Sequence, residues 1–122
     1  MLTPHANLEA YVEREFVGKL VQRGPTGPES RSEVRYDVQK SAVLYPVESA
    51  NRDRFSIFVM DISRSGMKVR VEQPLVLGQQ VQVLLDELIA LGEVRYCLEA
   101  GGRYNVGLRL ISVLLPKGKR RR

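Results

Sequence analysis

Cysteine and histidine each occur once among the 122 residues, tryptophan is absent, and the apolar residues never gather into a long run. Cys97 has no second cysteine to bond with, so no intramolecular disulfide can form. His5 and Cys97 lie near opposite ends of the sequence. They are too few for a structural zinc site and a poor basis for Ser–His, Cys–His or His-metal catalysis. The expectation is a protein without catalytic residues, metal or cofactor, in which Cys97 is a strand thiol packed as a small hydrophobe. No segment approaches the roughly 18 to 20 apolar residues of a membrane-spanning helix. Residues Met1 to Glu9 lack the apolar stretch of a signal peptide, so a cytoplasmic location is expected.

A chain of this length holds one compact domain of ordinary size. Its net charge of +5 looks like a nucleic-acid signal until the charges are located. Lys117, Lys119, Arg120, Arg121 and Arg122 supply five of the 19 basic residues, and the rest of the chain balances its 14 acidic ones. The body is therefore neutral. Residues 116–122 read as a solvated, disordered basic tail, with weak contact to nucleic acid or anionic lipid as a second reading and a cloning remnant as a third.

Leu8, Val12, Phe16 and Leu20 recur every four residues with Tyr11 alongside, which predicts a short amphipathic helix within residues 7–21. Asn7 is placed to cap it and Glu9 suits its first turn. Gly18 disfavours a helix interior by roughly 1 kcal/mol, and Phe16 to Val21 also reads as a strand. Gly24-Pro25-Thr26-Gly27-Pro28-Glu29-Ser30 forbids regular structure, so residues 1–30 divide into a helical segment and a flexible linker. From about Val38 the pattern changes to period two. Strands are predicted at Ala42 to Val47, Phe55 to Met60, Met67 to Val71, Gln80 to Leu85 and Ile89 to Leu98. Beyond a tight turn at Gly101-Gly102, a sixth runs from Tyr104 to Leu110. Six short amphipathic strands in sequence predict an all-β fold, a six-stranded antiparallel barrel over residues 31–115, because closure buries one face and removes exposed edges.

Two segments carry chemistry. Asp61-Ile62-Ser63-Arg64-Ser65-Gly66 joins two predicted strands. An Asp carboxylate accepts paired hydrogen bonds from the N1 and N2 donors of guanine, a Ser hydroxyl donates to phosphate, and Gly permits positive φ and close backbone approach. An ordinary Asx-type turn uses the same residues. Arg31 and Arg35 stand four apart where the linker meets the first strand. Guanidinium groups match phosphate and the O6/N7 edge of guanine, although two solvated surface arginines paired with Glu33 or Asp37 would look the same.

Taken together, Arg31-Ser32-Glu33-Val34-Arg35 and Asp61-Ile62-Ser63-Arg64-Ser65-Gly66 resemble the RxxxR and [DN]xSxxG signature of the PilZ family, in order and at the family's spacing. Met67 to Val71 and Arg103-Tyr104-Asn105-Val106-Gly107-Leu108 are also similar, so the resemblance covers about residues 31 to 111. It implies a six-stranded PilZ-type β-barrel that binds the bacterial second messenger cyclic di-GMP. Arg31 and Arg35 would clamp the ligand, Asp61 and Ser63 would contact it from the barrel, and Gly66 would shape the turn. Ser30, Arg64, Ser65 and Gly107 are secondary contacts in this reading. Ser30 departs from relatives that carry a second arginine or a hydrophobic residue there. The family's usual C-terminal helix has little room, with Ile111 to Leu115 alone before Pro116 and the tail.

The implied mechanism is an ordering of the linker and arginine pair onto the barrel when the dianionic ligand arrives. Residues 1–30 would move with it and signal to a protein partner, with outputs of the motility, biofilm or exopolysaccharide type. A homodimer through the apolar face of the N-terminal segment is open. One rival is a PilZ-like adaptor that works without ligand. Another is a small nucleic-acid-binding barrel using the Lys117 to Arg122 run. Against the latter, the aromatics Tyr45, Phe55, Phe58, Tyr96 and Tyr104 mostly fall at alternating core positions, leaving no stacking platform. Hydrolysis of the dinucleotide would need a cluster of carboxylates and histidines that the sequence lacks.

Overall fold

The computed structural model describes residues 2–4, 8–16, 19–21, 34–48 and 53–116. Along them run β1 (Leu2–Pro4), α1 (Leu8–Phe16), β2 (Lys19–Val21), β3 (Arg35–Pro46), β4 (Phe55–Ser63), β5 (Gly66–Val71), β6 (Gln80–Leu85), β7 (Leu88–Ala100) and β8 (Arg103–Pro116). The predicted six-stranded antiparallel barrel is present. Its strands follow the order β8-β5-β4-β3-β6-β7, and β7 pairs back onto β8 to close the ring.

Alternation builds the wall. Met67, Val69 and Val71 of β5 and Val81, Val83 and Leu85 of β6 point inward and are buried, while the residues between them are half-buried or exposed. They join Leu44, Val59, Leu88 and Val106 in one core. The turn between β7 and β8 has Gly101 at φ 61° and Gly102 at φ 84°, the mirror-image hairpin turn that glycine enters without a Cβ clash.

β-bulges interrupt the alternation at several points, and those in β4 and β7 shape the outer face. Ile57 and Val59 of β4 face the core, and strict period two would send Asp61 and Ser63 inward after them. Met60 is instead an extra residue, for the register passes from Val59↔Val69 directly to Asp61↔Lys68. On the other flank it passes from Lys40↔Val59 to Asp37↔Asp61. There Gln39 adopts φ 54° and its side-chain amide donates to Asp37 Oδ1 (2.7 Å) and to the Met60 carbonyl (3.3 Å). Ile62 thus enters the core opposite Met67, and Asp61 and Ser63 turn outward. In β7 the register runs from Val94↔Leu108 to Tyr96↔Gly107, so Arg95 is the extra residue and Tyr96 faces out.

The elements are longer at the first motif than the sequence pattern predicts. β3 starts at Arg35, and β4 continues to Ser63 because Arg35↔Ser63, Tyr36↔Ile62 and Asp37↔Asp61 keep both backbones in one ladder. Only Arg64 and Ser65 remain as a turn. The helix expected within residues 7–21 stops at Phe16, and Lys19–Val21 forms β2, paired with Asp37, Tyr36 and Arg35. Leu8, Tyr11 and Val12 are buried in the barrel core. β1 pairs with β8, with Leu2 opposite Pro116, so Pro116 ends a strand instead of opening the tail. Residues 22–33, which take in the expected linker at 24–30 with Ser30 and also Arg31, and the basic run 117–122 lie outside the described residues.

Tyr11 fixes α1 against the turn between β6 and β7. Burial, with the Glu15 and Asp86 carboxylates nearby, pushes its phenol from 10.0 up to about 12, and a backbone hydrogen bond with Glu87 opposes the shift. A raised folded-state value favours folding in full below the unfolded value and is lost as pH climbs through the folded one. Chemical unfolding followed between pH 10 and pH 12 is therefore expected to show falling stability, and Tyr11→Phe to remove part of that fall.

Candidate binding site on the outer face

Arg35 opens β3 directly opposite Ser63 and two residues from the Asp61 partner Asp37, so its side chain reaches both motif residues on the same face. Its Nε and Nη2 donate to Asp61 Oδ1 at 3.1 and 2.6 Å, and Nη1 donates to Ser63 Oγ at 3.2 Å. The Asp61 side chain is 5% exposed and that of Arg35 25%. A carboxylate so covered is tolerable because a guanidinium compensates it. Ser63 Oγ also accepts from the Gly66 amide (3.1 Å) and donates to the Gly66 carbonyl (3.3 Å), which uses the full capacity of a hydroxyl. One arginine thereby joins the starts of β3 and β5 to the end of β4.

Of the two properties expected of Gly66, positive φ and close backbone approach, the structure shows the second. Gly66 is the first residue of β5, paired with Arg109, and among the described glycines positive φ occurs at Gly78, Gly101 and Gly102. What crowds a side chain there is proximity, since a Cβ would stand 3.3 Å from the Leu108 carbonyl, with Arg35 Nη1 and Ser63 Oγ in ordinary contact at 3.7 Å. Arg64 and Ser65 are exposed at the tip, and the Ser65 carbonyl accepts from the Leu110 amide at 2.8 Å. Of the expected site residues, Arg35, Asp61, Ser63 and Gly66 are brought together; Arg31 and Ser30 are outside the described residues.

Cross-strand pairing extends the face in a row from Asp61 to Lys68, Gly107 and Tyr96. Three strand spacings make it about 14 Å long. Gly107 lies beneath the Tyr96 ring, where a Cβ would fall 2.1 Å from Cε2. This corrects the expectation of a core position for Tyr96, which is 38% exposed, whereas Phe55 and Tyr104 are partly buried and pack against the core as expected. The reason is the Arg95 bulge, which flips Tyr96 outward. Lys68 and Tyr96 were missed as site residues because period two alone assigns Tyr96 to the same face as Val94. The two adjacent outward residues Arg95 and Tyr96, followed by Gly107 across the hairpin, are the signal that could have found them.

A guanidinium held on a carboxylate, a hydroxyl, an ammonium and an exposed ring stand on one wall of a closed barrel, groups whose chemistry suits an anionic, aromatic ligand. The chain belongs to the PilZ family, for residues 29–120 match the family model described as PilZ domain. PilZ domains as a family are receptors for cyclic di-GMP. No curated protein matches the chain. Among the described residues no group of His, Cys, Asp and Glu is placed to hold a metal ion, and no helix is long and apolar enough to cross a membrane.

Asp61→Ala is expected to lower stability by about 1–3 kcal/mol, since Arg35 loses two charged hydrogen bonds but can turn toward water. Gly66→Ala should cost about 1 kcal/mol, because the Leu108 backbone must give way by a few tenths of an ångström. Urea denaturation of the two variants beside the parent chain measures both.

Proposed function

We propose that the chain is a cyclic di-GMP receptor that takes the dinucleotide on this outer face through Arg31, Arg35, Asp61, Ser63 and Gly66, without a further cofactor. The observation that carries the reading is the contact of Arg35 with Asp61 and Ser63, which unites the two motifs within the family match. The ligand presents two phosphates and two guanines. Arg35 and Lys68 supply cations for phosphate, Asp61 accepts from the N1 and N2 donors of a guanine, and Tyr96 offers a ring for base stacking. Arg31 closes over the ligand from the segment ahead of β3, with Ser30, Arg64, Ser65 and Gly107 around the approach.

Binding exchanges one ion pair for two ligand contacts. Arg35 turns from Asp61 to phosphate while guanine donors take its place on the carboxylate, so neither buried charge is left without a partner, a condition that would cost several kcal/mol. Val21 of β2 is registered against Arg35, so the exchange acts beside the strand that leads to α1. The receptor then signals through protein contacts, and the ligand biases the two states only by its difference in affinity for them.

Isothermal titration with cyclic di-GMP tests this. The unmodified chain should bind. Arg35→Ala should weaken binding by at least about 100-fold and Tyr96→Ala by roughly tenfold, measured where circular dichroism shows each variant folded, since Arg35→Ala also lowers stability by leaving Asp61 without its guanidinium. Micromolar binding by the Arg35 variant, or no heat from the unmodified folded chain, would sink the assignment.

A further inference from the structure

At the end of the barrel away from Arg35, where Leu44 pairs with Phe55, two adjoining cavities share Ser56 and Glu72. The larger, about 360 Å³, is walled by Leu44, Phe55, Val71 and Leu75 and also lined by Arg54. The smaller, about 290 Å³, lies against Phe58, Arg70 and Arg103. Two cations elsewhere on the barrel surface are matched, Lys40 with Asp86 at 3.0 Å and Arg109 with Glu93 at 2.7 Å. The arginines at this end are not. No carboxylate among the described residues pairs with Arg54, Arg70 or Arg103, and Arg70 makes only a 4.0 Å contact to the Met60 sulfur. One guanidinium, Arg54, thus lines the apolar chamber and two more, Arg70 and Arg103, line the cavity beside it, with Glu72 the carboxylate that both cavities share among the described residues. Val76 and Leu77, 69% and 64% exposed just after Leu75, continue the apolar surface outward.

We infer that this end of the barrel is a docking surface for an acidic segment of a partner protein that carries a bulky apolar side chain. The side chain fills the chamber of Leu44, Phe55, Val71 and Leu75, and flanking carboxylates meet Arg54, Arg70 and Arg103. Charge complementarity selects the occupant, because like-charged guanidiniums repel one another until anions intervene, and each fork suits a carboxylate bidentately. The apolar chamber supplies the anchor that separates one acidic segment from another. This surface deepens the protein-contact half of the reading above and rests on that reading for its role as the output. It uses none of Arg35, Asp61 and Ser63, although β3, β4, β5 and β8 run through both surfaces and Arg70 follows Lys68 by two residues in β5.

The test is fluorescence anisotropy with a labelled dodecapeptide of glutamates around a central Phe-Leu pair, and a control in which lysines replace the glutamates. The full chain should bind the acidic peptide and not the control, with amide shifts concentrated at Ser56, Leu75 and Arg103. The R54E/R103E double variant should weaken peptide binding by roughly tenfold or more while its titration with cyclic di-GMP is unchanged. Arg35→Ala should retain the peptide, so failure of the ligand reading is distinguishable from failure of this one. No binding of the acidic peptide, equal binding of both peptides, or indifference to R54E/R103E would overturn the inference. So would arginine-dependent binding to phosphatidylglycerol vesicles in place of the peptide, since the surface would then be one for lipid.

Discussion

The outer-face site depends on one extra residue in β4. Val59 and Ile62 must both reach the core, yet they are three positions apart, and a strand of strict alternation sends residues an odd number apart to opposite faces. The Met60 bulge absorbs the difference. Without it either Ile62 would face solvent or the Asp61 carboxylate would enter an apolar core, where an unpaired charge is strongly unfavourable. Gln39 makes the arrangement stable by taking positive φ and donating to the Met60 carbonyl, so the irregular backbone keeps a hydrogen-bond partner. The Arg95 bulge solves the same problem in β7, with the same result for Tyr96.

Once Asp61 and Ser63 are turned outward, Arg35 can bind the starts and ends of three strands at a single point. The contact is polar, partly covered and formed by groups whose chemistry suits phosphate and guanine, so under the proposed function a ligand would rearrange the interaction that joins these strands. β5 links this face to the opposite end of the barrel. Its inward residues Met67, Val69 and Val71 hold the core, while Lys68 and Arg70 project from the outer side into two different chemical settings.

Much of the barrel was legible because burial on one face enforces period two. β5 and β6 follow their patterns residue for residue, and the Gly101-Gly102 pair announces its hairpin. Strand ends were less legible. The pairing of Arg35 through Asp37 with Asp61 through Ser63 lies between polar residues that locally read as a turn, and only the ladder makes them strand. β2 was one of two readings of the same residues, decided by the free edge that β3 offers beside Arg35.

The sequence by itself determined the composition of the site and its scarcity of catalytic groups: two arginines, an aspartate, a serine and a glycine in a recognisable order, on a chain whose apolar residues alternate. Tertiary structure decided which way those residues point and what joins them. It turned Asp61 outward, laid Tyr96 over Gly107, crowded any side chain at Gly66 through the nearness of Leu108 instead of through its φ, and left one arginine on an apolar chamber and two on the cavity beside it. The physical reason is that a bulge shifts every following side chain to the other face, and where a bulge falls is settled by the partners across the sheet, which local sequence does not contain.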